Sequence, residues 1–437
     1  MGDIMKIGFV SLGCCKNLVD SQNALSFLKA SGHVFVDDPK QAEAIVVNTC
    51  GFINDAKQES IDTILKMADY KKNNLKYLVV MGCLVQRYKQ QLIEELPEVD
   101  LFISIDEYKQ LPQLFNQLFN QLFKSETIYD RSVVIATPPH TAYLRIADGC
   151  SNRCTYCAIP LIRKDYKSED MDTILKQAKE LEQLNVKELN LIAQDTTRYG
   201  FDKDGKLHLA QLLSELNKMN FTWIRVLYMY PDEIDDNLLQ VMSQLDKVVP
   251  YFDIPVQHSS NRLLKLMNRR GTREQIIDIV KKIRSMFKNA VLRTTIIVGF
   301  PTETDDDFLD LLDFVKEVRW DRLGGFTYSL EEDTAAYNIF PRVDEQIAKE
   351  RLQKLMEVQN EISYQNNQRF IGQKLLAVVE GGDSIGRNRY IARSYQYAPD
   401  DIDGHIVIES DRELNVSDFV EVLITSADSY DLFGKRV

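Results

Sequence analysis

No apolar run in this chain is long enough to cross a membrane. The longest, such as AIVV and YLVVM, are strand-sized, well short of the roughly 18 residues a spanning helix needs. The opening MGDIMKIGFVSL lacks the basic segment and apolar stretch of a secretory leader. Lys6 stands where a myristoylation motif wants Ser or Thr. These absences lead us to expect a cytoplasmic protein without a membrane partner. Low-complexity tracts and repeats of solenoid period are also missing. Positive charge is in short supply: 53 Lys and Arg stand against 65 Asp and Glu, a formal net charge of −12. Such a surface repels nucleic acid at long range and attracts basic proteins, although a cytosolic enzyme can carry it with no special partner. What is present is ordinary for a globular protein: 437 residues, 44% apolar and 27% charged, enough for about three domains.

Cysteine is scarce too, and the seven residues are odd in number, which argues against a disulfide framework. Three of them, Cys150, Cys154 and Cys157, crowd into DGCSNRCTYCAIP. Buried cysteines acting as small apolar residues do not generate CxxxCxxC. A structural zinc site closes with four ligands, but the nearest histidine, His140, precedes the trio and no fourth cysteine follows. A ferredoxin-type run would also supply a fourth. Three thiolates on a 4Fe-4S cluster, with one iron left open, fit this pattern.

A second trio lies upstream. KIGFVSLGC ends at Cys14, AEAIVVNTC at Cys50 and LKYLVVMGC at Cys83. Each is a β-branched-rich run of strand length with its cysteine at the C-terminal end. Helical patterns separate them, one opening at an Asn54 N-cap, so a parallel sheet is expected. Open parallel sheets bind ligands beyond their carboxyl ends, where these three cysteines would converge on a second cluster with an open iron. Cys15 is the leftover; Cys14 follows Gly13 as Cys83 follows Gly82, which favours Cys14 as ligand, with exchange between the adjacent thiolates left open.

Six strand-like runs then alternate with amphipathic segments, from TAYLRIADG to LGGFTYSLEE, as in an open (β/α)6 barrel. Cys150, Asp195, Tyr230, His258, Gly299 and Glu331 fall at strand C-termini, the face that carries chemistry in such barrels. Gln194 and Asp195 either hold a ligand there or cap the following turn. Arg225 and Gln257 either point into the barrel near a ligand or form a buried structural pair. Beyond a long helical segment, short β runs from about Ile371 predict a small antiparallel barrel. From Asn366 onward it holds two Lys and six Arg against twelve Asp and Glu. An RNA-binding face wants a basic stripe, so this surplus fits a basic protein partner better. The expected domains are 1–128, 135–365 and 366–437.

CxxxCxxC with this spacing resembles the signature of the radical S-adenosylmethionine (SAM) superfamily. Across nearly the whole chain the sequence is similar to the methylthiotransferases, and within them to the RimO branch, which acts on ribosomal protein S-twelve. SLGCCKNLVDSQ, YLRIADGCSNRCTYCAIP, AQDTTRYG, RVLYMYP, DIPVQH and PDDIDGHI carry that likeness. It implies an α/β chain: an N-terminal open parallel domain holding an auxiliary cluster, a radical SAM barrel and a C-terminal TRAM-type barrel. It also implies two 4Fe-4S clusters, on Cys14, Cys50 and Cys83 and on Cys150, Cys154 and Cys157. SAM would meet the second of these, with Tyr156 near its adenine and Gln194, Asp195, Arg225 and Gln257 as candidate contacts. The implied reaction replaces a hydrogen on the β-carbon of an S-twelve aspartate by a methylthio group. That carbon is unactivated, so a radical is required and the cofactors carry the hard step. A low-potential donor such as flavodoxin or ferredoxin and a sulfide source would be partners. Two other readings compete. tRNA adenosine methylthiolation would show steep salt dependence, and a non-catalytic Fe-S carrier would show no SAM cleavage. Three positions depart from the family pattern: Cys15 stands where Pro is common, and Lys164 and Thr302 where Gly is common.

Overall fold

Strands of the N-terminal region alternate side chains between two apolar layers, as a sheet covered on both faces requires. We describe a computed structural model of the protein, for residues 4–119, 134–382 and 388–437. The first expected boundary, at 128, lies outside the described residues. The chain forms two compact units. One comprises Met1–Ala136, Asp148–Lys167 and Ser329–Tyr337; the other comprises Thr137–Ala147, Ser168–Tyr328 and Asn338–Val437.

In the first unit, β1 (Lys6–Ser11), β2 (Val34–Phe35), β3 (Ala44–Thr49), β4 (Tyr77–Gly82) and β5 (Leu101–Ile103) form a parallel sheet in the order β2-β1-β3-β4-β5. Ala44 and Val46 of β3 and Val79 and Met81 of β4 face a core completed by α1 (Cys15–Ala30) through Phe27 and Leu28. Ile45, Val47, Leu78 and Val80 face the other way, onto Ile64 and Met67 of α2 (Asn54–Ala68) and Leu84, Val85 and Leu92 of α3 (Cys83–Glu95). Asn54 is the first helical residue and Ile53 the cap; the Asn54 amide donates instead to the Leu330 carbonyl, 3.3 Å away.

In the second unit, β6 (Thr141–Arg145), β9 (Glu188–Ile192), β10 (Trp223–Val226), β11 (Val248–Asp253), β12 (Val291–Val298) and β13 (Arg322–Thr327) form an open six-stranded parallel sheet. The short strands β7 (Ala147–Asp148) and β8 (Lys167–Ser168) flank the cysteine loop. Helices at 171–183, 209–216, 236–244, 273–286 and 305–318 follow the expected amphipathic segments. Thr304 caps the last of these with a reciprocal Asp307 bond. Among the described residues no helix is long and apolar enough to cross a membrane.

The C-terminal strands β14 (Lys374–Gly382), β15 (Arg389–Ser394), β16 (Ile406–Glu409), β17 (Phe419–Ala427) and β18 (Leu432–Arg436) close into a barrel. Its pairings are antiparallel except for one: β16 and β18 run parallel.

The two faces of the six-stranded sheet differ sharply. Ala142, Leu144, Leu189, Leu191, Ile224, Val226 and Phe252 share the apolar face. The other face carries polar partners as well: Tyr143 with Asn190, Asn190 with Arg225, and Asp253 with Arg293. The C-terminal barrel meets several polar groups of this face. Arg393 and Arg225 both bind Glu188, at 2.9 and 3.0 Å, and all three side chains are buried. Asp403 accepts from Tyr251 and from Arg293, and Asp400 accepts from Tyr143. Part of the acidic surplus of the last domain is therefore consumed internally.

Burial by itself would raise the Glu188 carboxyl, but Arg393 and Arg225 outweigh it and hold its pKa down at about 2. The stability contributed by this cluster is present above the unfolded value near 4.5 and is lost as pH falls towards 2. Glu188→Gln, which strands two buried guanidinium groups, should cost about 3–5 kcal/mol; guanidinium denaturation at pH 7 checks this.

Candidate active site: two cysteine trios

Cys14, Cys50 and Cys83 each follow the C-terminal end of a strand, and β1, β3 and β4 are adjacent in the sheet. The three cysteines thus lie along one rim. Cys14 caps α1, Cys50 follows β3 directly, and Cys83 opens α3. Gly13 lies at φ +84°, and a Cβ there would stand 2.9 Å from the Cys50 Cβ and 3.1 Å from its Sγ. Glycine alone combines that conformation with so close an approach. The thiols also sense one another: the charges of Cys14 and Cys50 both act on Cys83, and that of Cys14 on Cys50. Cys15, the first helical residue, is buried.

Polar side chains tie these strand ends together. Asn17 donates to the Leu12 carbonyl at 2.7 Å and the Thr49 carbonyl at 3.2 Å, and accepts from the Cys83 thiol at 3.9 Å. One amide therefore bridges the ends of β1 and β3 to Cys83. Ser60 of α2 accepts from the Cys50 N–H and donates to its carbonyl, at 3.1 and 2.9 Å. Burial raises the Cys50 thiol and pushes Cys83 up to about 12, the nearby Arg163 opposing the latter. Cys14 is exposed.

The second trio belongs to the same compact unit. Residues 148–167 leave the sheet that precedes them in sequence and pack with the N-terminal domain. Ala158 and Ile162 form an apolar cluster with Cys83. The Cys150 N–H donates to the Lys164 carbonyl at 3.0 Å, and the Cys157 N–H to the Cys154 carbonyl at 3.1 Å. Cys150, Cys154, Cys157 and their neighbour Tyr156 are all half-buried. The segment 329–337 supports both trios. Glu331 binds Lys57 and Arg87, at 3.0 and 2.9 Å, and Arg87 donates to the Gly51 carbonyl beside Cys50. The Ala336 N–H donates to the Thr155 carbonyl between two cysteines of the loop.

Each trio meets the chemistry of a cluster that takes three protein thiolates: all six cysteines stand as thiols rather than disulfides. Among the described residues, no group of three or more His, Cys, Asp or Glu is arranged around a single metal ion. An iron–sulfur cluster is larger than one ion and holds its thiolates farther apart.

The barrel candidates divide. Asp195 and Gln194 follow β9, and Gln257 follows β11, all at the C-terminal ends of strands. The Asp195 carboxylate accepts from the Thr197 hydroxyl at 2.6 Å and the Arg198 N–H at 3.3 Å, so it does cap its own turn. Gln257, at φ +74°, uses its backbone to bridge to β12, donating to Thr295 and accepting from Ile297 at 2.8 Å. Arg225 is not brought to that rim. Its guanidinium turns to Glu188, the first residue of β9, and to the Tyr395 carbonyl. Glu188 and the Tyr395 carbonyl satisfy its charge, so its guanidinium is engaged in a buried structural pair, one of the two readings left open for it. His258 is fully buried; its Nδ1 accepts from the Ser260 N–H and its Nε2 faces Glu303 at 3.7 Å.

Asn17, Ser60 and Arg163 were not singled out from sequence. Asn17 sits inside the stretch SLGCCKNLVDSQ, three residues beyond Cys14, whereas Arg163 lies just past CTYCAIP, six residues beyond Cys157.

Comparison with known proteins agrees with this architecture. Residues 144–315 match the radical SAM superfamily, 371–437 the TRAM domain, and 6–104 a family described as uncharacterized protein family UPF0004. Two solved radical SAM enzymes share the fold at low identity. The methyltransferase TsrM from Kitasatospora setae aligns with TM-score 0.55 and 12% identity, over 75% of this chain and 73% of that one. The cobalamin-dependent enzyme OxsB aligns with TM-score 0.51 and 15% identity, over 81% and 56%. With the radical SAM match over residues 144–315, the chain is a radical SAM enzyme. Curated relatives are closer. A ribosomal protein uS12 methylthiotransferase RimO from Caldicellulosiruptor saccharolyticus is 48% identical, over 99% of this chain and 100% of its own length. One of the same name from Clostridioides difficile is 45% identical, over 99% and 98%. The chain belongs to this RimO family of methylthiotransferases.

Two measurements follow from the site. Lys164 lies at φ +61°, ψ −155°, a region populated almost only by glycine and costing about 1–3 kcal/mol for other residues. Its ion pair with Asp106 is exposed and contributes about 1 kcal/mol at most. Lys164→Gly should therefore raise the thermal midpoint, with unchanged iron content. In cluster-free protein at pH 8, iodoacetamide should label Cys14 at least about tenfold faster than Cys83, because only the thiolate reacts; peptide mapping over time reads the ratio.

Proposed function

We propose that this enzyme methylthiolates the β-carbon of an aspartate in ribosomal protein S-twelve, using two 4Fe-4S clusters and SAM. The observation that carries the reading is the presence of two cysteine trios in one compact unit, in a chain whose relatives are named for this substrate. Cys150, Cys154 and Cys157 would hold the cluster that meets SAM, with Tyr156 beside it. Cys14, Cys50 and Cys83 would hold the second. When bound, these groups supply a radical, a sulfur atom and a methyl group. The protein's own part is to hold the thiolates, orient the ligands and keep water away. Asn17 and Ser60 fix the strand ends that carry the auxiliary trio. Gln194, Asp195 and Gln257, at the C-terminal ends of the barrel strands, would contact SAM.

The functional division is 1–128 for the auxiliary cluster, 135–365 for the radical SAM barrel and 366–437 for the TRAM-type barrel. A reduced flavodoxin or ferredoxin would supply electrons and a sulfide donor the sulfur, in the cytoplasm. The net charge of −12 suits a basic ribosomal protein, through attraction before contact. It suits tRNA poorly.

The test is anaerobic incubation of reconstituted enzyme with SAM, sulfide and dithionite. The substrates are an S-twelve aspartate-loop peptide and an isopentenyl-adenosine stem-loop. Mass spectrometry should show the added methylthio group on the peptide alone; modification of the RNA alone would overturn the substrate assignment, and intact SAM would overturn the chemistry. Cys154→Ala should abolish SAM cleavage. Cys50→Ala should keep SAM cleavage while losing the methylthio product; chromatography of 5′-deoxyadenosine reads the cleavage and mass spectrometry of the peptide reads the product.

A further inference from the structure

Arg163 is a buried guanidinium on the loop that carries one trio, and it reaches a cysteine of the other. It ends the short helix Ile159–Arg163, the turn that follows Cys157. Its Nη2 lies 2.6 Å from Asp20 of α1 and 3.8 Å from the Cys83 Sγ. Its Nη1 lies 3.0 and 3.3 Å from the two carboxylate oxygens of Asp148. The Arg163 and Asp20 side chains are each only 2% exposed. The backbone is equally committed. Gly149 lies at φ +77°, with room for no Cβ: one built there would stand 2.2 Å from the Asp165 carbonyl oxygen and 2.8 Å from that of Arg163. The next residue, Cys150, donates to the carbonyl of Lys164. Arg163 thus closes the loop that carries one trio while its side chain reaches a ligand of the other.

Burying a charge is costly unless it is paired and hydrogen-bonded. The rigid planar guanidinium fork presents five donors in fixed directions, which suits two carboxylates and a sulfur on different sides, whereas a lysine would offer a compact point charge. Two carboxylates already neutralise it, so the contact to Cys83 is not needed for charge balance. It has a different consequence. Hydrogen bonds and positive charge at a cluster's sulfur atoms favour the more negative, reduced form and raise the reduction potential. Asp20, on the same side, acts in the opposite sense.

We propose that Arg163 is a positioning residue that sets the reduction potential of the auxiliary cluster through Cys83, with Asp20 as its counterweight, and so links the electronic state of one cluster to the loop that holds the other. This rests on the two-cluster reading above, and the experiment separates the two. The parent is full-length protein carrying Cys150→Ala, Cys154→Ala and Cys157→Ala, reconstituted with iron and sulfide. Redox titration followed by EPR measures the remaining cluster in this parent, and in the same protein with Arg163→Gln or Asp20→Asn. Arg163→Gln should shift the potential to more negative values and Asp20→Asn to more positive ones. A residue that only holds the fold together would give no such opposite pair of shifts. If Arg163→Gln does not retain its cluster, the positive shift in Asp20→Asn decides alone. Potentials that ignore both positions, or that move in one direction for both, overturn the inference while leaving the cluster assignment intact. A parent that binds no cluster overturns the two-cluster reading and this inference with it.

Discussion

Three parallel strands that end side by side are the constraint on which the rest of this chemistry depends. A parallel sheet sends all its carboxyl ends to one edge, so residues far apart in sequence meet there with no long-range design beyond strand order. β1, β3 and β4 are neighbours, and each hands its chain to a cysteine. The chain must turn sharply at these points, and the polar backbone exposed by the turn needs partners. Asn17 and Ser60 supply them. The rim is consequently a hydrogen-bonded structure that presents three cysteines, and the second cysteine loop is built onto it through Ala158, Ile162 and Arg163.

Charge is used differently in the two units. Around the trios, buried ion pairs join segments distant in sequence: Arg163 with Asp20, and Glu331 with Lys57 and Arg87. In the second unit a polar sheet face would be costly to bury unmatched, and the C-terminal barrel brings the matching groups. Arg393, Asp400 and Asp403 meet Glu188, Tyr143, Tyr251 and Arg293. The conspicuous PDDIDGHI stretch is thereby explained in part as a plug for the sheet's polar face. The acidic character of the last domain is correspondingly weaker support for a basic partner than its raw composition suggests.

Much of this was legible in the sequence. Strand-length β-branched runs and amphipathic spacing depend on local side-chain periodicity, so both parallel sheets and their helices could be anticipated. The six cysteines announced themselves by spacing and by their places at strand ends. The structural place of Cys14 beside Gly13 and Cys50 likewise agrees with the pattern of Gly before Cys. Other features were hidden because they are tertiary. Nothing in the local pattern of residues 148–167 says that they join the N-terminal sheet's compact unit. Arg225 read from sequence either as facing a ligand or as part of a buried pair, and its partner Glu188 and the Tyr395 carbonyl cannot be found by periodicity. The positive φ of Lys164 and of Thr302 shows what the family's glycines accomplish at those turns, which the bare substitution could not.

The central claim is that both cysteine trios share one compact unit. Low-temperature EPR of the fully loaded, reduced protein tests it most directly, by comparison with two variants that each keep one cluster. Clusters held together should relax faster and show spin coupling, so the spectrum of the loaded protein should differ from the sum of the two single-cluster spectra. A spectrum and relaxation behaviour equal to that sum would contradict the account.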